Sequence, residues 1–183
     1  MTYGARRYRF NVEQYEAMIA TGILTENDRV ELLDGEIFDM GPHGDAHVSC
    51  TMRLIRLCGA CLGDDLWLSV HDPLLVNEES QLRPDLIIHR SPPQFDLALP
   101  SRENTLVVME IADLSLKYDR DKKLPSYGKW QIPESWLFDV ARRRIERHTE
   151  PNLEGYTHAE AVQSAGSLTS TVVPGLVISE GVS

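Results

Sequence analysis

The fold of this chain depends most on two short apolar segments, PDLII at residues 84–88 and LVVMEI at residues 106–111. Their apolar residues are consecutive rather than alternating, which is the pattern of strands covered on both faces of a sheet. Each segment also carries one acid, Asp85 in the first and Glu110 in the second. We therefore predict that both acids lie in the middle of a sheet, on strands that pair as neighbours.

A carboxylate in the middle of a sheet needs a partner. Burying an ionised acid alone is costly, so such groups are normally hydrogen-bonded, paired with a cation or bound to a metal ion. If the two strands are adjacent, Asp85 and Glu110 project toward one point. Carboxylate oxygens are the ligands that hard divalent cations require, so the pair predicts a site for Mg²⁺ or Mn²⁺.

Composition limits the class of protein. The chain has 183 residues, of which 42% are hydrophobic, which suits one globular domain spanning residues 1–183. Its 18 basic and 28 acidic residues give a net charge of −10, which argues against nonspecific adhesion to nucleic acid. A basic run, Arg142 to Arg144 with Arg147, leaves phosphate contacts open, although such a run is more often a solvated turn. Without an apolar leader or a long apolar span, we expect a cytoplasmic protein that has no membrane partner.

Three cysteines, Cys50, Cys58 and Cys61, fit a reducing compartment better than a disulfide framework because their number is odd. Cys58 and Cys61 have the spacing of a redox motif, but they fall at the expected end of a helix, whereas a reactive thiol is favoured at a helix start. A zinc site that adds His47 and Cys50 meets a similar objection, because one continuous helix would separate its ends by about 21 Å. Core packing is therefore the favoured interpretation.

Local signals divide the N-terminal half into elements. Asn11 and Gln14 form a capping box that starts a first helix, and Asp34-Gly35 is a two-residue turn typical of a β-hairpin. A second helix is predicted over residues 46–62, with Asp45 as its cap and His47 in its first turn. Strand segments are predicted at residues 67–71 and 74–76, followed by a turn that leads into the first acidic strand.

The C-terminal half starts with a proline-rich loop at residues 90–104, interpreted as a mobile or substrate-facing excursion. A helix is predicted over residues 117–130, where Pro125 requires either a late start or a kink. Residues 136–139 read as another strand, and the tail predicts a last strand or a packed extension. This order of elements predicts an α/β or α+β domain with a mixed central sheet.

Several short motifs, taken in order, carry a family resemblance. They are ELLDGE at residues 31–36, His47, PDL at residues 84–86, VVMEI at residues 107–111, Asp119 with Lys123 and Tyr127, and PESWLFD at residues 133–139. Their order and spacing resemble the Uma-type restriction endonuclease family, within the PD-(D/E)XK nuclease superfamily. The match runs over residues 8–139 and more weakly to residue 176. It implies a restriction-endonuclease-like fold, in which helices flank the mixed sheet after an N-terminal β-hairpin.

One position departs from the superfamily pattern. In a D/E-x-K motif the lysine follows the acid by two residues on the same face of the strand, but Ala112 holds that place after Glu110. The resemblance implies that a lysine from the next helix replaces it. Lys123 matches the family position, and Lys122 is the alternative. Asp85 and Glu110 would then hold the metal ion.

Glu31 and His47 complete the set of candidate catalytic residues. Glu31 faces away from its apolar neighbours and can add a carboxylate to the site, with an exposed hairpin acid as the alternative. His47 can contact phosphate or another ligand, with a partly buried structural histidine as the alternative. Tyr127 and Trp130 are interpreted as packing residues.

The sequence thus suggests a metal-dependent endonuclease that hydrolyses phosphodiester bonds in nucleic acid, DNA in the first instance. Lys123 would orient or deprotonate the attacking water, or stabilise charge at the phosphorus. Two alternatives stay open: an inactive nuclease-fold module for binding or structure, and a hydrolase of another phosphoester. The acidic charge, the missing strand lysine and Pro125 favour the inactive module somewhat. Because double-strand cutters of this fold often act in pairs, a homodimer is also plausible.

Overall fold

The structure is a computed structural model that describes residues 4–25, 27–90, 99–163 and 166–179. Its helices are α1 (Val12–Ala20), α2 (Asp45–Cys61), α3 (Leu116–Tyr118) and α4 (Leu124–Lys129), with a π-helical turn (Asp119–Lys123) joining the last two. Its strands are β1 (Val30–Leu33), β2 (Glu36–Asp39), β3 (Leu66–Val70), β4 (Leu74–Asn77), β5 (Ser80–Leu82), β6 (Leu86–Arg90), β7 (Thr105–Ala112), β8 (Glu134–Asp139), β9 (Arg144–Asn152), β10 (Gly155–Gln163), β11 (Ser167–Thr169) and β12 (Val177–Ser179). Most of the proline-rich loop, residues 91–98, lies outside the described residues.

The central sheet is mixed and has six strands in the order β10-β9-β8-β7-β6-β3. Strands β7 and β8 are parallel, and the other neighbours are antiparallel. Every residue of β8 is buried, and Leu106 is the one residue of β7 that is not. The prediction of two doubly covered, neighbouring acidic strands is therefore confirmed, with one correction: Asp85 lies one residue before β6 rather than inside the strand.

A smaller sheet, in the order β2-β1-β5-β4, carries the N-terminal hairpin. Asp34 and Gly35 have φ angles of +50° and +75°, as a type I′ turn requires, so the predicted β-hairpin is confirmed. The sequence interpretation missed β5, because residues 77–80 were taken as a turn that leads directly into the first acidic strand. In the structure that turn closes a second hairpin, and the chain then reaches Asp85 through Arg83 and Pro84.

The first two helices begin differently from each other. At α1 the predicted capping box is present, since Asn11 Oδ1 accepts from the Gln14 N–H at 2.8 Å and Gln14 Oε1 accepts from the Asn11 N–H at 3.1 Å. At α2 the predicted cap is wrong: Gly44 is the N-cap, and Asp45 is the first helical residue. Its carboxylate still lies where the helix dipole favours negative charge.

Helix α2 packs its cysteines against the central sheet. Cys50 and Cys58 are in the core, and Cys61 ends the helix. Burial raises the pKa of both Cys50 and Cys58 to about 12, the opposite of the change that activates a thiol. The three cysteines are all free.

The helical segment after β7 accommodates Pro125 in a way that the sequence interpretation did not foresee. Helix is continuous from Leu116 to Lys129, but its middle is a π-helical turn in which the Leu124 N–H donates to the Asp119 carbonyl. Pro125 follows at once. In a regular helix its ring would clash with the carbonyl four residues earlier, and the wider turn relieves that clash. The expected late start is found for α4, which begins at Leu124 with Pro125 in its first turn, although a π turn precedes it.

Gly128 lets α4 pack directly on β10, because a Cβ at this position would overlap the backbone carbonyl of Gly155. We expect Gly128→Ala to lower the free energy of unfolding by about 2 kcal/mol in urea denaturation, since the overlapping atoms are backbone. Gly59→Ala is the matched control: Gly59 lies within α2 with nothing within 4 Å, so alanine should stabilise by about 0.8 kcal/mol. Equal effects of the two substitutions would contradict the close approach.

Glu134, within the PESWLFD motif, is a buried acid with a structural role. Its Oε1 accepts a hydrogen bond from the Trp136 indole at 2.6 Å, and its Oε2 accepts from the N–H and hydroxyl of Thr171 at 2.8 and 2.7 Å. These bonds fix the C-terminal segment to β8. The tail forms the β11-β12 pair, which agrees with the predicted last strand, whereas β10 was not predicted.

None of the helices in the described ranges is long and apolar enough to cross a membrane.

Candidate active site

Asp85 lies immediately before β6, beside the C-terminal half of β7, and is 6% exposed. Its Oδ2 accepts a hydrogen bond from the Ile111 N–H at 2.7 Å, and its Oδ1 lies 2.9 Å from His47 Nε2. Burial by itself would raise the pKa of Asp85, but the hydrogen bond and charge of His47, with the charge of Lys123, outweigh it and lower the pKa. Asp85 is thus a buried carboxylate that stays ionised.

Glu110 lies on β7 in the next strand, and it too is buried. Its Oε1 accepts a hydrogen bond from the Tyr127 hydroxyl at 2.5 Å and lies 2.7 Å from Lys123 Nζ. Burial raises the pKa of Glu110 well above its ordinary value; Lys123 opposes that rise, and the charges of Asp119 and Asp85 add to it. The two predicted metal-binding acids are therefore neighbours with opposite pKa shifts.

Lys123 comes from the π-helical turn and is 1% exposed. Its Nζ lies 2.7 Å from Glu110 Oε1 and 3.1 Å from Glu31 Oε1. Burial would lower the pKa of Lys123, but the charges of Glu110 and Glu31 outweigh it and raise the pKa, so the amine stays protonated. Lys122, the alternative lysine, is exposed. The amine of Lys123 thus contacts Glu110. It takes the place of the motif lysine, whose position two residues after Glu110 is occupied by Ala112.

Glu31 lies on β1 and faces the same site, so the alternative of an exposed hairpin acid is wrong. It is 3% exposed, and its Oε1 accepts a hydrogen bond from the Arg83 N–H at 3.0 Å. Its Oε2 is buried without a hydrogen-bond partner in the described part of the chain. Asp119 lies nearby, bonded to the Ser115 hydroxyl at 2.5 Å, and burial raises the pKa of its carboxyl.

Three histidines approach Asp85 from the other side. His47 is buried in the first turn of α2, and its Nε2 lies 2.7 Å from Nδ1 of His43, which precedes the helix. His71 follows β3, with its Nδ1 3.6 Å from Asp85 Oδ1. Burial, together with the neighbouring imidazoles and Arg29, lowers the pKa of His43 to about 4, so its ring is neutral at physiological pH. Burial also lowers the pKa of His71.

These groups line one cavity of about 870 Å³. Its polar lining includes Glu31, Asp85, Glu110, Lys123 and the three histidines, and its apolar lining includes Tyr15, Ile19, Phe38 and Met40. The volume is typical of a pocket that takes a small molecule or part of a larger one. All five candidate catalytic residues from the sequence, Asp85, Glu110, Lys123, Glu31 and His47, therefore meet around a single space.

The sequence matches a known protein family over most of its length. The match is to the model of Uma2, described as "Putative restriction endonuclease", and it covers residues 12–180. This chain belongs to the Uma2 family. No curated protein matches the sequence significantly.

This Uma2 protein is also similar to a solved structure, the crystal structure of a putative nuclease belonging to DUF820 from Anabaena variabilis ATCC 29413. The two share a TM-score of 0.75 at 10% sequence identity, over 94% of this chain and 96% of the other. At that identity the likeness shows the fold. The predicted restriction-endonuclease-like fold is thereby confirmed, and family and fold together indicate a nuclease of this class.

Sequence reasoning missed some of the Uma2 site. Tyr127 was assigned to packing, but its hydroxyl also holds Glu110. His43 stands four residues before His47, a spacing that suggests a shared site only if the helix start is known. His71 has a φ angle of +55°, a conformation that histidine adopts more often than most residues and that no local motif predicted.

Proposed function

We propose that this Uma2 protein is a metal-dependent endonuclease that hydrolyses phosphodiester bonds in nucleic acid, with DNA as the expected substrate. The observation that carries the proposal is the contact of Lys123 Nζ with Glu110 Oε1 at 2.7 Å. The contact forms the acid and lysine pair of the motif, with the acid on the strand and the lysine supplied by the following helical segment. This pairing beside a second buried acid, Asp85, is what the chemistry of a PD-(D/E)XK site needs.

The residues fit a divalent cation. Glu31, Asp85, Glu110 and Asp119 are all buried, and Lys123 is the fully buried cation near them in the described chain. The unpartnered Oε2 of Glu31 is a further sign that positive charge is missing from this group. Asp85 and Glu110 would hold the ion. A cation bound there would stabilise negative charge on a phosphate and make a water more acidic.

Lys123 is suited to stabilising charge rather than to removing a proton. The acids around it keep its pKa high, so at neutral pH it has no free lone pair with which to act as a base. Its ammonium group can instead neutralise the developing charge on a phosphate that enters the cavity. Tyr127, by donating to Glu110 Oε1, fixes the orientation of that carboxylate. His47 Nε2 contacts Asp85 Oδ1 at 2.9 Å and so limits the movement of that carboxylate.

Two arguments for an inactive module weigh less in this setting. The strand lysine is missing, but Lys123 contacts the acid, and Pro125 follows a π turn that leaves Lys123 in the site.

The arginine run gives less support to DNA binding than the sequence suggested. Arg142, Arg144 and Arg147 already pair with Asp139, Glu146 and Glu160 respectively.

The test is cleavage of supercoiled plasmid DNA, and of single-stranded DNA and RNA in parallel, with Mn²⁺ and with EDTA. Glu110→Gln keeps the shape of the side chain but removes its charge, so cleavage should fall by about 100-fold or more. The control is Glu154→Gln, which changes an exposed glutamate in the turn between β9 and β10 and should cleave like wild type. Undiminished cleavage by Glu110→Gln would exclude the proposed site. Absence of cleavage by wild type with every substrate would favour the inactive module.

A further inference from the structure

His43, His47 and Asp85 form a compact cluster of metal-ligand types. One atom from each lies within 4.8 Å of the other two, and this is the one such group of three in the described ranges. His43 comes from the loop before α2, His47 from the helix itself and Asp85 from the residue before β6. His47 and Asp85 are 4% and 6% exposed. Residues distant in sequence thus bring two imidazoles and one carboxylate to the same point.

One ring nitrogen in this cluster is shared between two hydrogen-bond partners. His47 Nε2 lies 2.7 Å from His43 Nδ1 and 2.9 Å from Asp85 Oδ1. A ring nitrogen has either one proton to donate or one lone pair to accept with, so it can serve one of these partners well and not both. A cation placed among the three atoms would serve all of them, because each can offer it a lone pair.

The backbone at His71 adds an independent observation. This residue has a φ angle of +55°, a conformation that costs most side chains about 1 kcal/mol or more and that is concentrated at functional sites. Its N–H donates to the Asp85 carbonyl at 3.2 Å, and its imidazole Nδ1 lies 3.6 Å from Asp85 Oδ1. A third imidazole is thereby held beside the cluster, about half exposed to the cavity.

We propose that Asp85 also binds a divalent transition-metal ion together with His43 Nδ1 and His47 Nε2, with His71 beside it. This ion is additional to the one that Asp85 and Glu110 would hold, and the two sites share the Asp85 carboxylate. The assignment of this ion to cleavage rests on the proposed nuclease function. Imidazole suits ions such as Fe²⁺, Ni²⁺ and Zn²⁺, whereas Mg²⁺ is bound almost entirely through oxygen. Two histidines and one carboxylate leave coordination positions open for water and phosphate.

The contact between Arg29 and His43 opposes metal binding at this site. Its guanidinium contacts His43 Nε2, and because guanidinium is only a donor, that nitrogen must accept and the proton of neutral His43 lies on Nδ1. Ligation through Nδ1 moves the proton to Nε2 and breaks the contact with Arg29. Arg29 therefore competes with the metal ion. A glutamine at this position could accept from Nε2 and should strengthen metal binding several-fold.

The experiment is a Co²⁺ titration of tag-free protein, followed by visible absorption, with Zn²⁺ and Mg²⁺ as competitors. His43→Ala and His47→Ala should each weaken Co²⁺ binding by at least about 10-fold, the loss that even an outer partner of a ligand causes. His158→Ala is the control, since His158 is a half-exposed histidine on β10. Circular dichroism checks the fold, and the partly exposed His43 keeps the test valid if His47→Ala does not fold. Arg29→Gln should bind Co²⁺ more tightly.

The outcomes separate this inference from the proposed function. Equal Co²⁺ affinity of wild type and His43→Ala, or displacement of Co²⁺ by equimolar Mg²⁺, would overturn the imidazole site even if the protein cleaves DNA. Weaker binding by Arg29→Gln would overturn ligation through Nδ1. Histidine-dependent Co²⁺ binding without cleavage of any nucleic acid would support the site and refute the nuclease proposal.

Discussion

Lys123→Met is expected to lower the free energy of unfolding of the metal-free protein by about 3–5 kcal/mol at about pH 8, because it leaves buried carboxylates without their cation. Lys123 Nζ contacts both Glu110 and Glu31, and methionine retains most of its length without its charge. The matched control is Lys122→Met. The neighbouring lysine is exposed, so its loss should change the free energy by less than about 0.5 kcal/mol.

The pH dependence distinguishes lost charge from lost packing. Burial raises the pKa of Glu110 and Lys123 opposes that rise, so Lys123→Met should raise the pKa further. A carboxyl whose folded pKa exceeds its unfolded value contributes stability below the unfolded pKa, and that stability is lost as the pH rises through the folded pKa. The deficit of Lys123→Met should therefore shrink as the pH falls toward 5. Urea denaturation in EDTA at a series of pH values measures it. A deficit independent of pH would assign the effect to packing.

The features that the sequence predicted well depend on neighbours along the chain. Asp34-Gly35 specifies its own turn, because two positive φ angles select these residue types. Consecutive apolar residues specify that β7 is covered on both faces, whatever covers it. Neither signal needs knowledge of distant contacts, and both predictions are confirmed.

The features that the sequence did not predict depend on contacts between distant segments. Strand β10 is mostly exposed and polar, so it has no alternating apolar pattern by which the sequence could be recognised as a strand. Its extended conformation depends on its hydrogen bonds to β9. Lys123 was favoured over Lys122 through the family resemblance and not through a local pattern, because the phase of that helix depends on a π turn that no propensity predicts. His43 and His71 join the site through the packing of loops against Asp85. Local sequence patterns were thus enough to identify Asp85 and Glu110, whereas the side chains that contact them depend on the tertiary structure.

The stability of Asp85→Asn provides a second test, because the contacts of Asp85 and the number of acids around it predict opposite effects. A group of crowded acids suggests that Asp85→Asn would relieve repulsion and stabilise the metal-free protein. The contacts predict the opposite, because burial would raise the pKa of Asp85 but His47, Lys123 and the Ile111 N–H outweigh it, favour the ionised form and lower the pKa. Such a group contributes stability above its unfolded pKa, and this is lost as the pH falls through its folded pKa. At neutral pH, Asp85→Asn should therefore unfold at a lower temperature than wild type in EDTA.

With metal the difference should widen. Mn²⁺ at about 100 times its dissociation constant is expected to raise the Tm of wild type by about 5–10 °C, because it binds the folded state alone. Asp85→Asn should show little of this rise, since an amide replaces the carboxylate that both the proposed nuclease site and the histidine cluster use. Asp64→Asn changes an exposed acid and should respond like wild type. A full rise in Asp85→Asn would mean that the ion binds elsewhere, and a lower Tm without metal would then be the structural effect of a lost hydrogen bond.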